Sequence, residues 1–88
     1  MVLEKVKIIL FSSSRCVYCP LAEKALKDAG IVFEKVLVDS GQGFAMAQEY
    51  GVLALPSVIV SGPKGVRKII GLPANFVEKV REYVSEVF

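Results

Sequence analysis

The sequence predicts an α/β fold, a single domain over residues 1–88 in which a mixed four-stranded sheet is flanked by helices. Three observations predict it. The chain has 88 residues, a length that allows one small domain. Its residues are 53% hydrophobic, which is enough to form a core. Segments with the periodicity of strands and of helices follow one another in the order β-α-β-α-β-β-α.

The first half of the chain carries a strand, a helix and a second strand. Apolar residues over 6–11 predict a largely buried strand. Alanine and leucine then recur at i, i+3, i+4 and i+7, which predicts a helix over about 16–29 that ends at Gly30, with the serines at 12–14 as N-cap candidates. Residues 31–38 are rich in β-branched side chains and predict the next strand. The two strands are expected to be parallel, with a right-handed crossover.

The second half is predicted to contain a short helix, a hairpin and a final helix. A turn is expected over residues 39–41, and the short helix after it covers 44–50 and ends before a glycine. Strands over 57–60 and 66–70 are joined by a turn-rich link of hairpin length, so they are expected to pair antiparallel. Asn75, followed three residues later by Glu78, resembles a capping box at the start of the last helix.

The charge balance and the composition exclude several classes of function. The 11 Lys and Arg residues against 9 Asp and Glu leave a net charge of +2, too small for a dedicated nucleic-acid or anionic-membrane surface. No apolar run approaches the roughly 18 residues of a membrane span, and no leader is recognised, so a cytoplasmic location is expected. The chain has no histidine, which excludes Cys-His and Ser-His nucleophile pairs and histidine metal sites.

The motif Cys16-Val17-Tyr18-Cys19 is a candidate redox site, because it lies between a predicted strand and a predicted helix. Unpaired N–H groups and the helix dipole favour a thiolate at a helix start and lower its pKa, and Arg15 adds a neighbouring cation. Cys16 would sit at the exposed start of the helix and attack, whereas Cys19, one turn further in, would resolve. The spacing keeps both sulfur atoms within reach of a disulfide.

Other interpretations of the cysteine pair remain open. The two thiols could be small apolar core residues. They could also supply half of a metal or iron–sulfur site shared between two chains, because a structural zinc ion takes about four ligands and the chain has only these two cysteines. A purely structural disulfide is not expected in a cytosolic protein, where thiols are kept reduced.

The motif and its surroundings resemble the active-site segment of the thioredoxin and glutaredoxin superfamily. The resemblance covers essentially the whole chain and is closest to small, glutaredoxin-sized thioredoxin-like proteins of microbes. It is carried by the first strand and the motif up to Pro20, by Val38-Asp39, Ala47, Tyr50-Gly51-Val52, Leu55-Pro56-Ser57 and Ile70-Gly71-Leu72-Pro73.

The resemblance implies a thioredoxin fold and a thiol–disulfide oxidoreductase that reduces protein disulfides. Cys16 is then the nucleophile, Cys19 resolves the mixed disulfide, and a cis peptide bond before Pro56 exposes the backbone of Leu55 to an extended substrate. The redox-active disulfide between the two cysteines takes the place of a cofactor, and no metal is implied. The implied partners are disulfide-containing proteins and an electron donor of the thioredoxin-reductase type, with neither nucleic acid nor membrane.

The chain departs from both branches of the superfamily at several positions. Arg15 and Val17-Tyr18 stand where thioredoxins usually have Trp and Gly-Pro, although Tyr18 is similar to glutaredoxins. Leu10 stands where thioredoxins have a buried Asp. Glutaredoxins hold glutathione with Thr-Val-Pro and with a Gly-Gly turn followed by Asp. Here Ala54-Leu55-Pro56 and Gly71-Leu72-Pro73 replace these segments, so glutathione is not expected as a partner.

An apolar, shallow substrate face is expected beside the disulfide, built from Val17, Tyr18, Leu55, Pro56, Gly71 and Leu72. Such a face suits extended protein segments better than one small molecule. Two alternative functions stay open. One is a glutathione-dependent glutaredoxin. The other is a non-enzymatic carrier of an iron–sulfur cluster or a thioredoxin-like binding domain.

Overall fold

A mixed sheet of four strands forms the centre of the fold in the computed structural model, which describes residues 6–39 and 41–88. Its strands are β1 (Lys7–Ser12), β2 (Glu34–Leu37), β3 (Ser57–Gly62) and β4 (Gly65–Ile70), in the spatial order β2-β1-β3-β4. Strand β1 is parallel to β2 and antiparallel to β3, and β3 is antiparallel to β4. The predicted order of elements and the mixed sheet are confirmed.

The inner strand β1 supplies side chains to a core on each face of the sheet. The helices of the described residues are α1 (Cys19–Asp28), α2 (Gly41–Glu49) and α3 (Phe76–Val87). Leu10 packs with Leu26 of α1 and Val80 of α3 on one face. Its neighbour Ile9 packs with Ala47 of α2 on the other face. Successive side chains of a strand point to opposite faces, so one short strand anchors helices on both sides.

Helix α1 begins at Cys19, later than the predicted start near residue 16. Pro20 lies in its first turn, where a residue without an N–H is tolerated because the first N–H groups of a helix have no acceptor within the helix. The predicted serine cap is wrong, since Tyr18 is the N-cap residue and makes no capping hydrogen bond with its side chain. At the other end, Gly30 adopts a φ of +72° and ends the helix as predicted.

Strand β2 is shorter than the predicted range of 31–38. The N–H of Ile31 donates a hydrogen bond of 3.0 Å to the carbonyl of Leu26, so this residue completes the C-terminus of α1 instead of joining the sheet. Pairing with β1 begins at Glu34, which lies opposite Ile9. The β-branched composition therefore predicted the strand correctly but not where it starts.

The later helices differ from prediction in where α2 begins and in how the start of α3 is capped. Helix α2 begins at Gly41 and not at 44, and it places Gly43 and Ala47 on its buried face. The predicted turn residue Ser40 lies outside the described residues. Asn75 precedes α3 as predicted, but its side chain makes no capping hydrogen bond, so the predicted capping box is wrong. Within residues 6–39 and 41–88, no helix is both long and apolar enough to cross a bilayer.

Candidate active site

The CxxC motif lies in the connection between β1 and α1. The sulfur atoms of Cys16 and Cys19 are joined in a disulfide, and the Cα atoms of the two residues are 5.4 Å apart. Cys19 is only 2% exposed, whereas Cys16 is partly exposed. Of the two cysteines, Cys16 is therefore the one that a sulfur atom of another molecule can approach.

The exposed cysteine belongs to the loop before α1. The predicted position of Cys16 at the start of the helix is wrong, because the helix begins at Cys19. The N–H of Cys16 donates to the carbonyl of Ser13 over 3.2 Å, which folds the loop into a tight turn. The carbonyl of Tyr18 accepts a hydrogen bond of 3.1 Å from the N–H of Leu21, which is the first hydrogen bond of the helix. The positive end of the helix dipole thus lies at the buried cysteine.

Asp39 ties the loop of the motif to the segment that follows β2. Its carboxylate accepts hydrogen bonds from the N–H of Ser14 over 3.2 Å and from the hydroxyl of Ser14 over 2.5 Å. One residue further on, the N–H of Arg15 donates to the hydroxyl of Ser13 over 3.0 Å. The hydrogen bond from the Ser14 hydroxyl is the main cause that holds the pKa of Asp39 below its usual value. The loop is therefore anchored two residues before Cys16.

This anchor was missed by sequence reasoning, which gave Asp39 no role at the CxxC motif. Ser14 lies two residues past the end of β1, and Asp39 lies two residues past the end of β2. Because β1 and β2 are parallel neighbours, the residues that follow their C-terminal ends meet at the same edge of the sheet. A serine and an aspartate at matching positions after two parallel strands were the available signal.

We expect the replacement Asp39→Asn to reduce the loss of stability at acid pH. The pKa of Asp39 in the folded state lies below its ordinary value of 3.8. The carboxylate therefore stabilises the fold above about pH 4, and this contribution is lost as the pH falls through the folded-state pKa. Urea unfolding of the oxidised wild type and variant at about pH 7 and about pH 3 gives the free energy of unfolding that each loses on acidification.

Glu49→Gln, which removes an exposed carboxylate on α2, is the control for Asp39→Asn. It should lose as much stability on acidification as the wild type. If Asp39→Asn also loses as much as the wild type, the hydrogen bonds between Asp39 and Ser14 contribute nothing to stability.

Two adjoining grooves border the motif and share the side chains of Tyr18 and Leu55. The first, the Arg15 groove, has a volume of about 550 Å³ and is further lined by Ser13, Arg15, Cys16, Val17, Leu53 and Ala54. The second, the Leu72 groove, has a volume of about 290 Å³ and is further lined by Leu21, Pro56, Gly71 and Leu72. Every residue of the predicted substrate face borders one groove or the other.

A hydrogen bond joins the two loops that line the Leu72 groove. The peptide bond between Leu55 and Pro56 is cis, as the resemblance implied. The N–H of Gly71 donates to the carbonyl of Pro56 over 2.8 Å. Gly71 has a φ of +80°, a conformation that favours glycine, and the turn it makes leaves Leu72 36% exposed at the rim.

Two exposed leucines of these grooves were missed by sequence reasoning. Leu53 is 95% exposed in the Arg15 groove, and Leu21 is 52% exposed in the Leu72 groove. Leu21 could have been noticed because it falls outside the apolar face of α1 that Ala22 and Leu26 define. No pattern in the sequence singles out Leu53.

The position of the buried thioredoxin aspartate is apolar in this chain. Leu10 is fully buried in the core beneath α1, together with Ala22 and Leu26. Among the described residues, the buried polar side chains are those of Ser12 and Ser57, and none of them is a carboxylate. No group of three or more Cys, Asp or Glu side chains in this part of the chain comes together as a possible metal site.

The segment that forms this site matches a known family. The family model described as Glutaredoxin matches residues 8–63, which contain most of β1, the CxxC motif, α1, β2, α2 and β3. The match covers more than half of the chain. This chain belongs to the glutaredoxin family.

Relatives of this glutaredoxin-family chain include microbial proteins of similar size. It is 28% identical to a thioredoxin from Methanocaldococcus jannaschii, over 91% of the chain and 98% of the relative. It is 31% identical to a probable thioredoxin from Methanothermobacter marburgensis, over 92% of the chain and 94% of the relative. Its fold is similar to the solution structure of a thioredoxin from Thermus thermophilus, with a TM-score of 0.73 and 23% identity, over 93% of this chain and 75% of that one.

The thioredoxin fold and the resemblance to small microbial thioredoxin-like proteins are thereby confirmed. This glutaredoxin-family chain is a protein-disulfide oxidoreductase. Its redox group is the disulfide between Cys16 and Cys19, which can exchange with a dithiol form by transfer of two electrons.

Proposed function

We propose that the chain reduces disulfide bonds of other proteins, with Cys16 as the nucleophile and Cys19 as the resolving thiol. The difference in exposure between the two cysteines carries this proposal. Cys16 is partly exposed and lines the Arg15 groove, whereas Cys19 is 2% exposed. In thiol–disulfide exchange the attacking thiolate must reach the substrate disulfide, so the first attack on a protein substrate falls to the more accessible Cys16.

The reaction then proceeds in two exchanges. The Cys16 thiolate attacks one sulfur of the substrate disulfide, forms a mixed disulfide and releases the other substrate sulfur as a thiolate. The Cys19 thiolate next attacks the Cys16 sulfur, which releases the second substrate thiolate and leaves the intramolecular disulfide. Two electrons pass from the chain to the substrate, and protons from solvent complete the two substrate thiols.

The substrate is proposed to be an extended protein segment that lies along the two grooves. Val17 and Tyr18 are 79% and 61% exposed beside Cys16, and Leu72 is exposed at the far rim. Large apolar side chains left open to water next to a reactive group favour a partner with apolar residues around its disulfide. Pro56 and Gly71 shape the floor of the Leu72 groove without offering polar side chains.

The electron donor is proposed to be a flavoprotein of the thioredoxin-reductase type. Glutathione is the second candidate, because the matching family model is that of glutaredoxins. The segments that hold glutathione in glutaredoxins differ here, at Ala54-Leu55-Pro56 and at Gly71-Leu72, which favours the flavoprotein. We propose that residues 1–88 act as one domain in a compartment that keeps thiols reduced, such as the cytoplasm.

A redox titration tests the direction of the reaction. The chain is equilibrated across a glutathione and dithiothreitol series, and the two thiols are counted by alkylation and mass. We expect a reversible two-electron transition near or below about −230 mV, typical of cytosolic reductants. A potential of about −120 to −180 mV would instead indicate a disulfide donor or isomerase. If the pair forms no intramolecular disulfide at any potential, the proposal is wrong.

A further inference from the structure

The two grooves beside Cys16 are lined by a single charged side chain, that of Arg15. The other residues of the Arg15 groove are apolar or uncharged, and so are all those of the Leu72 groove. Val17 and Leu53, which border the Arg15 groove, are 79% and 95% exposed. A partner that docks in the two grooves therefore meets apolar surfaces and one positive charge, which lies on the side of the Arg15 groove.

The side chain of Arg15 differs from the other two arginines of the chain. Arg67 forms an ion pair of 3.0 Å with Glu86, and Arg81 donates a hydrogen bond of 3.2 Å to the carbonyl of Ala29. Within residues 6–39 and 41–88, the ion pairs do not include Arg15, which is exposed. Its guanidinium group can therefore bind a carboxylate of another molecule.

The backbone of Arg15 is held in place beside the reacting sulfur. Its N–H donates to the hydroxyl of Ser13, and the N–H of Cys16 donates to the carbonyl of the same serine. The carboxylate that reaches this loop, that of Asp39, is engaged by the N–H and the hydroxyl of Ser14. The loop thus fixes the backbone of Arg15, while the nearby Asp39 carboxylate already accepts hydrogen bonds from Ser14.

We infer that Arg15 makes the chain prefer protein disulfides in which an acidic residue flanks the reacting cysteine. This inference rests on the proposed function. The acidic side chain would lie in the Arg15 groove, where guanidinium and carboxylate form paired hydrogen bonds. Apolar residues on the other side of the substrate cysteine would fill the Leu72 groove. Glutathione also carries carboxylates, but it has no large apolar side chain for that second groove, so the structure points to a protein segment.

Matched peptides activated as 2-thiopyridyl mixed disulfides test the inference. They differ only in a Glu, Gln or Lys beside the cysteine, on either flank. The Cys16 thiolate of the reduced full chain attacks the peptide sulfur and displaces pyridine-2-thione, whose absorbance reports the rate of this first exchange. We expect the Glu peptide to react about three- to tenfold faster than the Lys peptide on one flank, with a smaller ratio at high salt. Arg15→Glu should reverse the order.

Lys64→Glu is the matched control, because it changes the net charge equally at the exposed turn between β3 and β4, at the end of the sheet far from Phe11 and the motif. It should keep the order of the wild type. A changed pKa of the Cys16 thiol alters the rates of all peptides alike, so it leaves the ratio between them unchanged.

Three results would overturn one proposal or the other. Equal ratios for the wild type and Arg15→Glu would overturn the inference. Glutathione activated as the same 2-thiopyridyl disulfide is also tested, and a rate that depends on Arg15 for glutathione but for none of the peptides would overturn the inference as well. If no peptide reacts, the uncharged Gln peptide included, the proposed function itself is wrong.

Discussion

A chain carrying Cys19→Ser is expected to attack a protein disulfide once and then remain joined to its substrate through Cys16. The second exchange needs a thiolate at position 19, and the serine hydroxyl cannot form the disulfide that releases the substrate. Turnover should fall by at least about a thousandfold, while the first exchange stays within about tenfold of the wild-type rate. The release of substrate thiols measures turnover, and non-reducing electrophoresis followed by mass spectrometry of the trapped species measures the first exchange.

Cys16→Ser is the matched control and should trap no substrate. The thiol that remains, Cys19, is 2% exposed at the start of α1, so a protein disulfide reaches it only if the helix opens. Both variants replace sulfur by oxygen and leave the rest of the side chain unchanged. Equal trapping by the two variants would contradict the assignment of roles to Cys16 and Cys19, and trapping by Cys16→Ser alone would reverse it.

Leu10→Asp is expected to unfold most of the protein at about pH 7. Leu10 is fully buried among apolar side chains that include Ala22, Leu26 and Val58. Loss of the leucine packing alone costs about 2–5 kcal/mol, and burial of an unpaired carboxyl group adds several more. The sum is comparable to the whole free energy of unfolding of a small domain, about 5–15 kcal/mol. Urea unfolding of the oxidised protein measures the loss.

The pH dependence of Leu10→Asp separates the buried charge from the lost packing. Burial favours the protonated acid, so the folded state binds more protons than the unfolded state, and stability falls as the pH rises above about 4. Acidification should therefore restore part of the fold. Leu10→Asn, which has a similar size and does not titrate, should follow the pH profile of the wild type. A Leu10→Asp chain as stable as the wild type at neutral pH would show that the site accepts the acid that thioredoxins carry there.

Hydrophobic periodicity located the described helices and strands, but it did not locate all of their ends. Residues 31–33 have the composition of a strand, yet the N–H of Ile31 is taken by the C-terminus of α1. Asn75 has the spacing of a capping box and makes no capping hydrogen bond. An element ends where another group in space takes its hydrogen bonds, and the period of the side chains does not record that competition.

The order of residues by itself determined the chemistry and the fold class of this protein. The absence of histidine, two cysteines one turn apart after a strand, and the alternation of strand and helix periods are all local properties of the chain. Contacts between distant segments determined the rest: the burial of Cys19, the tie between Ser14 and Asp39, and the grooves that Leu53 and Leu72 complete. Their cause is the parallel register of β1 and β2 and the packing of loops from both halves of the chain at one edge of the sheet, which no single segment encodes.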